Sequence, residues 1–189
     1  LVIDIIPEYN DLFIVGNTSS VDGDFAGLHD DLRSGYNAFI AKMNNSGSLD
    51  WLRSYGGLED DALQAVTRAQ NGDLLIAGIN QTNDGDFEGK GGSFQRHIYQ
   101  IYLIRVNSDG DTIWKNTYGG KSSDSKIFSM IESQGQIILS GYTDSEIFLE
   151  YSGFEGDLNM PRDRFFFFAF FDGDGSLLDV DIYSRDISL

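Results

Sequence analysis

The chain has 189 residues, no cysteine, and 30 acidic against 13 basic side chains, a formal net charge of −17. Disulfides and thiol chemistry are therefore excluded, and so acidic a surface repels phosphate backbones and anionic bilayers, which argues against nucleic acid as a partner. No apolar run approaches the ~18 residues of a membrane helix, so no membrane insertion is predicted.

The opening stretch LVIDIIPEYN lacks the basic segment and cleavage site of a signal peptide and begins in mid-repeat, so the chain is taken as a piece of a longer polypeptide. DLFIVGNT at 11–18 is an apolar run ending in Gly, the pattern of a buried strand. A long connection carries VDGDFAG at 21–27, and FIAKMNNSGSLDWLRSYGG at 39–57 then folds as two strands about an Asn-Ser-Gly turn.

The same order returns in a second copy. ALQAVTRA at 62–69 leads through the turn QNGD to LLIAGI at 74–79, and NDGDFEG at 83–89 lies in the connection from Asn80 to Tyr99. IYLIRV at 101–106, the turn NSDGD and TIWKNTY at 112–118 close the copy. The third has QIILSGYT at 136–143, and its last segment, FFAFFDGDGSLLDVDIYSR at 167–185, keeps the turn but loses the Trp and the Gly pair. The run FFFFAFF at 165–171 has the length of one deeply buried strand, and Phe165 to Phe168 within it are expected to be buried on both faces.

The period is 62 to 63 residues, which divides the chain into units at 1–57, 58–120 and 121–189, the first short at its start and the third degenerate. Four short antiparallel strands per unit predict an all-β fold: three four-stranded antiparallel repeats, the blades of a partial β-propeller. A ring closes with about four to eight blades. Additional blades from the same longer chain or from another chain are therefore expected as partners.

Trp51 and Trp114 sit on the fourth strands and are expected to pack between blades, with Gly56, Gly57, Gly119 and Gly120 as structural positions after them. The phrase Asp-Gly-Asp-Phe places Asp22 and Asp24, then Asp84 and Asp86, in the second connection of each good copy. Two readings stand. Carboxylates spaced by one Gly can share a hard cation, and calcium is the cofactor such a loop would suit. Alternatively the acids cap the loop backbone while Phe25 and Phe87 anchor it.

The turns NNSGS, NSDGD and DGDGS lack the bidentate Glu of an EF-hand and read as plain turns. Tyr36, Phe94, Tyr99 and Tyr151 lie on or beside the variable connections, which are expected to face one rim, where these aromatics could meet glycans or surface proteins. His29 and His97 have no nucleophile beside them in sequence, and no pair among the acids stands out as a glycosidase dyad. The expectation is a non-catalytic scaffold or binding module of adhesion type. A propeller-type carbohydrate-active enzyme is the alternative.

From Trp51 through Gly120 the succession Trp, Tyr-Gly-Gly, Asp-Asp-Ala, Asn-Gly-Asp, a strand ending in Gly, Asp-Gly-Asp and a second apolar strand resembles a known kind of repeat. It is similar to the tandem repeats of large secreted or surface-exposed proteins of the Bacteroidetes type, often followed by a type IX secretion sorting domain. The second copy matches nearly throughout, the first lacks its opening, and the third is weak after Gly141. The resemblance implies propeller architecture and an extracellular or cell-surface location, with no settled biochemical activity.

Overall fold

The computed structural model of the chain describes residues 1–8, 11–28, 35–81, 84–88, 99–122, 125–144 and 165–183. The first sheet holds β1 (Val2–Glu8), β2 (Asp11–Thr18), β3 (Asn37–Asn44) and β4 (Leu49–Tyr55) in that spatial order. The second holds β5 (Asp61–Arg68), β6 (Leu74–Asn80), β7 (Tyr99–Val106) and β8 (Thr112–Ser122). The third holds β9 (Ser125–Ser133), β10 (Gln136–Thr143), β11 (Phe165–Phe171) and β12 (Leu177–Tyr183). All neighbours are antiparallel, so the chain is three up-and-down blades of an open propeller.

Blade 1 is complete despite its short start, because β1 supplies the first strand and tolerates Pro7 at the sheet edge, where one side of the backbone has no ladder partner. β8 runs on through Gly119 and Gly120, whereas β4 stops at Tyr55, before Gly56.

One glycine recurs in every second strand. A Cβ at Gly16, Gly78 or Gly141 would run into the carbonyl oxygen of Leu1, Ala62 or Lys126. In each blade the first strand bulges next to this position, pressing its backbone onto the glycine. The strand-ending Gly legible in the sequence is thus the seat of a bulge.

The core lies between sheets. One cluster joins Phe13, Val15, Ala38 and Ile40 of blade 1 to Leu63, Leu74, Ile76, Tyr102, Ile104 and Val106 of blade 2. The other joins Leu75, Ala77, Ile101 and Leu103 of blade 2 to Ile137, Leu139, Phe167, Ala169 and Phe171 of blade 3. Blade 2 is therefore covered on both faces, which is why its inner strands read as unbroken apolar runs. The outer blades are covered on one. Phe165, Phe167, Ala169 and Phe171 of β11 are buried, but Phe166 and Phe168 stand 48% and 45% exposed. The expectation that Phe165 to Phe168 are buried on both faces is corrected: successive side chains of a strand alternate, and among the described residues no sheet covers the far side of blade 3.

A directional device joins each blade to the next. Trp51 Nε1 donates to Ser108 O in the β7–β8 turn at 3.2 Å, and Trp114 Nε1 donates to Gly173 O in the β11–β12 turn at 3.1 Å. The indoles lie over the turn glycines Gly110 and Gly175, whose φ of +84° and +79° suits glycine. Around each ring the same helpers recur. Lys42 pairs with Asp11 at 3.4 Å and donates to Ser108 O, while Arg105 pairs with Asp73 at 2.7 Å and donates to Gly173 O. Tyr55 bonds Thr112, and Tyr118 donates its hydroxyl to Gly175 O.

Gly47 has the same turn geometry, φ +82°, but no atom of the described residues lies within 4 Å of a Cβ built there. Gly47→Ala should cost only the left-handed backbone penalty, about 1–2 kcal/mol. Gly110→Ala should cost a further ~1–3 kcal/mol, since its Cβ would stand 2.9 Å from the Trp51 ring. Urea denaturation of both variants measures the difference; equal losses would mean that the indole does not bear on Gly110.

Candidate functional site

The second-to-third strand connections leave one end of the stack, as the register pairs Thr18 with Asn37, Asn80 with Gln100 and Thr143 with Phe165. At that end the Asp-Gly-Asp-Phe phrase forms a single 3-10 turn in both good copies, Gly23–Phe25 and Gly85–Phe87. What the acids do there depends on which blade precedes them.

In blade 2 they hold blade 1. Three successive backbone amides after β4 each meet a different carboxylate. Gly56 N donates to Asp86 Oδ2 at 3.1 Å, Gly57 N to Asp61 Oδ2 at 2.7 Å, and Leu58 N to Asp84 Oδ1 at 3.1 Å. Asp86 N donates back to Gly56 O at 3.0 Å, and Lys115 Nζ stands 3.0 Å from Asp86 Oδ1. Phe87 fills the core beneath, its ring centroid 5.2 Å from that of Tyr102. In blade 1 the equivalent acids are exposed: Asp22 accepts a hydrogen bond from Ser20 Oγ at 2.7 Å, and Asp24 points to solvent.

This geometry favours the clasp over the calcium shell. Both oxygens of Asp86 already face donors, and an ammonium at one of them repels a second cation. Among the described residues no group of three or more acidic or histidine side chains is arranged to hold a metal ion.

Behind the clasp, Asp61 and Asn37 are fully buried. Asn37 Nδ2 donates to Gly57 O at 3.3 Å, while its Oδ1 has no hydrogen-bond partner among the described residues. Burial pushes the Tyr102 phenol well above its ordinary range, with the Asp61 carboxylate adding to the effect. At the turn end, burial pushes Tyr118 up to about 12; its hydrogen bond with Asn116 opposes the rise and Asp172 adds to it.

Beside the clasp a cleft of about 910 Å³ opens along the first strands, lined by Asn17, Ser20, Tyr36, Gln64 and Lys126 among others. Asn17 brackets the next blade, its Oδ1 accepting from Leu63 N at 2.7 Å and its Nδ2 donating to Leu63 O at 3.1 Å. Gln64 Oε1 accepts from Ile127 N at 2.6 Å and joins blade 2 to blade 3 in the same region. Tyr36 is 43% exposed in the cleft, its phenol raised first by partial burial and then by the Asp60 carboxylate.

Of the four aromatics expected on the rim, Tyr36 lines the cleft, Tyr99 opens β7 half-buried, and Phe94 and Tyr151 lie outside the described residues. His29, His97 and most of the variable connections also lie outside them. Asn17 and Gln64 were not singled out in the sequence, yet a signal existed: Ile79 and Tyr142 take the place of Asn17 in the other copies, and Ile3 that of Gln64. A polar residue where its repeats are apolar marks a contact particular to one blade. Compared with known protein families and with curated proteins, the chain matches none.

Asp86→Ala should destabilise the fold by about 1–3 kcal/mol, the loss of a charge-assisted bond to a part-buried amide, whereas Asp24→Ala should leave the melting temperature unchanged. Calcium or a chelator should move neither protein's melting point, and a rise with calcium that Asp86→Ala abolishes would restore the cation reading. Stability should also fall as pH rises from about 10 to about 12. In that window the unfolded phenol of Tyr118 loses its proton while the folded one keeps it, so the folded state binds more protons. Urea titrations across the range should show a shallower decline for Tyr118→Phe.

Proposed function

We propose that the chain is a non-catalytic, extracellular or surface-exposed segment of a β-propeller, a rigid scaffold that presents variable connections on one rim for binding. The observation that carries this reading is the cleft of about 910 Å³ at the end of the stack from which all three long connections depart. Stacked sheets hold its walls, and function on such frames resides in the loops they carry.

Its chemistry suits an uncharged polar ligand. Tyr36 offers an aromatic face, Ser20 a hydroxyl and Lys126 an ammonium, within a chain whose net charge of −17 repels polyanions. Glycans and the surfaces of extracellular proteins fit that description. The similarity to Bacteroidetes-type repeats points to the same setting, and the outer faces of blades 1 and 3, which no described sheet covers, leave room for further blades.

A glycan array is the direct test. Binding to one class of neutral glycan, reduced at least tenfold by Tyr36→Ala with the melting point retained, is the expected outcome. Turnover of any glycoside, abolished by substitution of a single carboxylate, would replace this reading with a carbohydrate-active enzyme.

A further inference from the structure

Among the described residues, blade 1 carries the receiving half of the inter-blade device with nothing in it. Its turn glycine, Gly47, has the φ of Gly110 and Gly175, but no ring of those residues lies over it. Its clasp already has the closed shape. Gly23 has φ +58° against +56° for Gly85, and Phe25 stands 5.4 Å from Phe39 as Phe87 stands 5.2 Å from Tyr102. Where Gly56 O approaches to 2.5 Å of a Cβ built on Gly85, nothing lies within 4 Å of one built on Gly23. The sheet face repeats the contrast. Val2 and Leu12 are 52% and 39% exposed, while their counterparts Leu63 and Leu74, covered by blade 1, are 1% and 0% exposed.

We propose that this face of blade 1 is a preorganised socket for one further blade of the same repeat, joined in tandem ahead of Leu1. That blade seats a Trp indole over Gly47 and gives the amides of a Gly-Gly-Leu segment to Asp22 and Asp24. The proposal rests on the propeller-segment reading and names the partner that it leaves open.

Three observations choose the occupant. Both filled sockets take the same knob, a fourth strand with Trp, then Tyr four residues on, and in blade 1 a Gly pair whose amides meet acids. A second copy of this chain would bring its third blade, where Asp179 stands in the Trp position and Ser184-Arg185 in that of the Gly pair. Finally, Leu1 occupies the place of Ala62, each pressing its carbonyl on the recurring glycine, so the backbone stands at the start of β1 where it stands on passing from blade 1 into β5.

The test is a chain extended at Leu1 by an additional copy of residues 1–61, with amide hydrogen exchange measured at Gly56, Gly57 and Leu58 of both copies. The added copy's three amides should be protected to within tenfold of the original ones. Gly47→Asn at the junction-facing turn should speed exchange of the added copy's amides at least tenfold and leave the original amides slow. In the unextended chain the same substitution should leave the melting point unchanged, because Asn accepts left-handed backbone and nothing faces the site.

Exchange of the added amides at the unprotected rate, beside protected original ones, would overturn the proposal. Should the extended chain fail to fold, Asp179→Trp with Ser184→Gly and Arg185→Gly puts the missing knob on the third blade of the original chain. Sedimentation should then show head-to-tail association that Gly47→Asn abolishes, and a monomer at every concentration would overturn the socket. Association of the unmodified chain abolished by Gly47→Asn would seat a second copy there instead and overturn the choice of occupant. Glycan binding through Tyr36 is read separately, so either result leaves the function of the rim to its own test.

Discussion

Each sheet in this protein is apolar on both faces and can cover neither by itself. A four-stranded antiparallel ribbon with Leu74 and Ile76 on one side and Leu75 and Ala77 on the other needs a neighbour on each side to take all four residues out of water, as blade 2 has. Everything else in the structure follows from how that cover is supplied. The sheets meet face to face, and the contact is made directional by an indole that leaves one blade and lands on a turn glycine of the next. A Trp on a flat sheet face would fix neither register nor order. Set over a glycine with its Nε1 on a turn carbonyl, it fixes both.

The acidic clasp adds a second point of attachment at the opposite end of the sheets. Two attachments at the ends of one interface resist rotation of a blade about the other, which a single central contact would allow. They also explain why an acid-rich chain can afford so many carboxylates near its interfaces. Asp61, Asp84 and Asp86 are balanced by three oriented amides and by Lys115, so their charge is met by fixed donors. The rim that carries the variable connections is consequently the end that the clasp stiffens. The cleft walled by Asn17, Gln64 and Tyr36 gains a defined shape from that stiffness.

Much of the frame was legible in the sequence because it repeats. The period located most of the strands, the turn glycines and both Trp residues, and the unbroken apolar runs LLIAGI and IYLIRV marked a sheet covered twice, while β1 and β9, the opening strands of the first and third copies, went unread. The clasp was half legible. The recurrence of Asp-Gly-Asp-Phe showed that the phrase mattered, but its partners, Gly56 to Leu58, belong to a different copy, and no local pattern ties an acid in one repeat to an amide in another. β11 misled for a related reason. Its run has the composition of a strand buried twice, whereas burial is decided by whether a neighbouring sheet is there, and among the described residues none lies on one side of blade 3.

The two ends of the stack are consequently different in kind. Blade 1 offers a shaped receptor, with a turn, a clasp and an apolar face each matching a filled counterpart in blade 2. Among the described residues blade 3 lacks the forward set: Gln136, Phe170 and Asp179 replace the acid, the cation and the indole that blades 1 and 2 send forward. What it does expose is a flat aromatic surface, with Phe128 6.2 Å from Phe166 and Phe168 6.1 Å from Tyr183. Aromatic faces bury much area without dictating one orientation. The contact between consecutive blades is thus directional: the earlier blade sends an indole, a cation and an acid forward, and the later one receives them on a turn and a carbonyl.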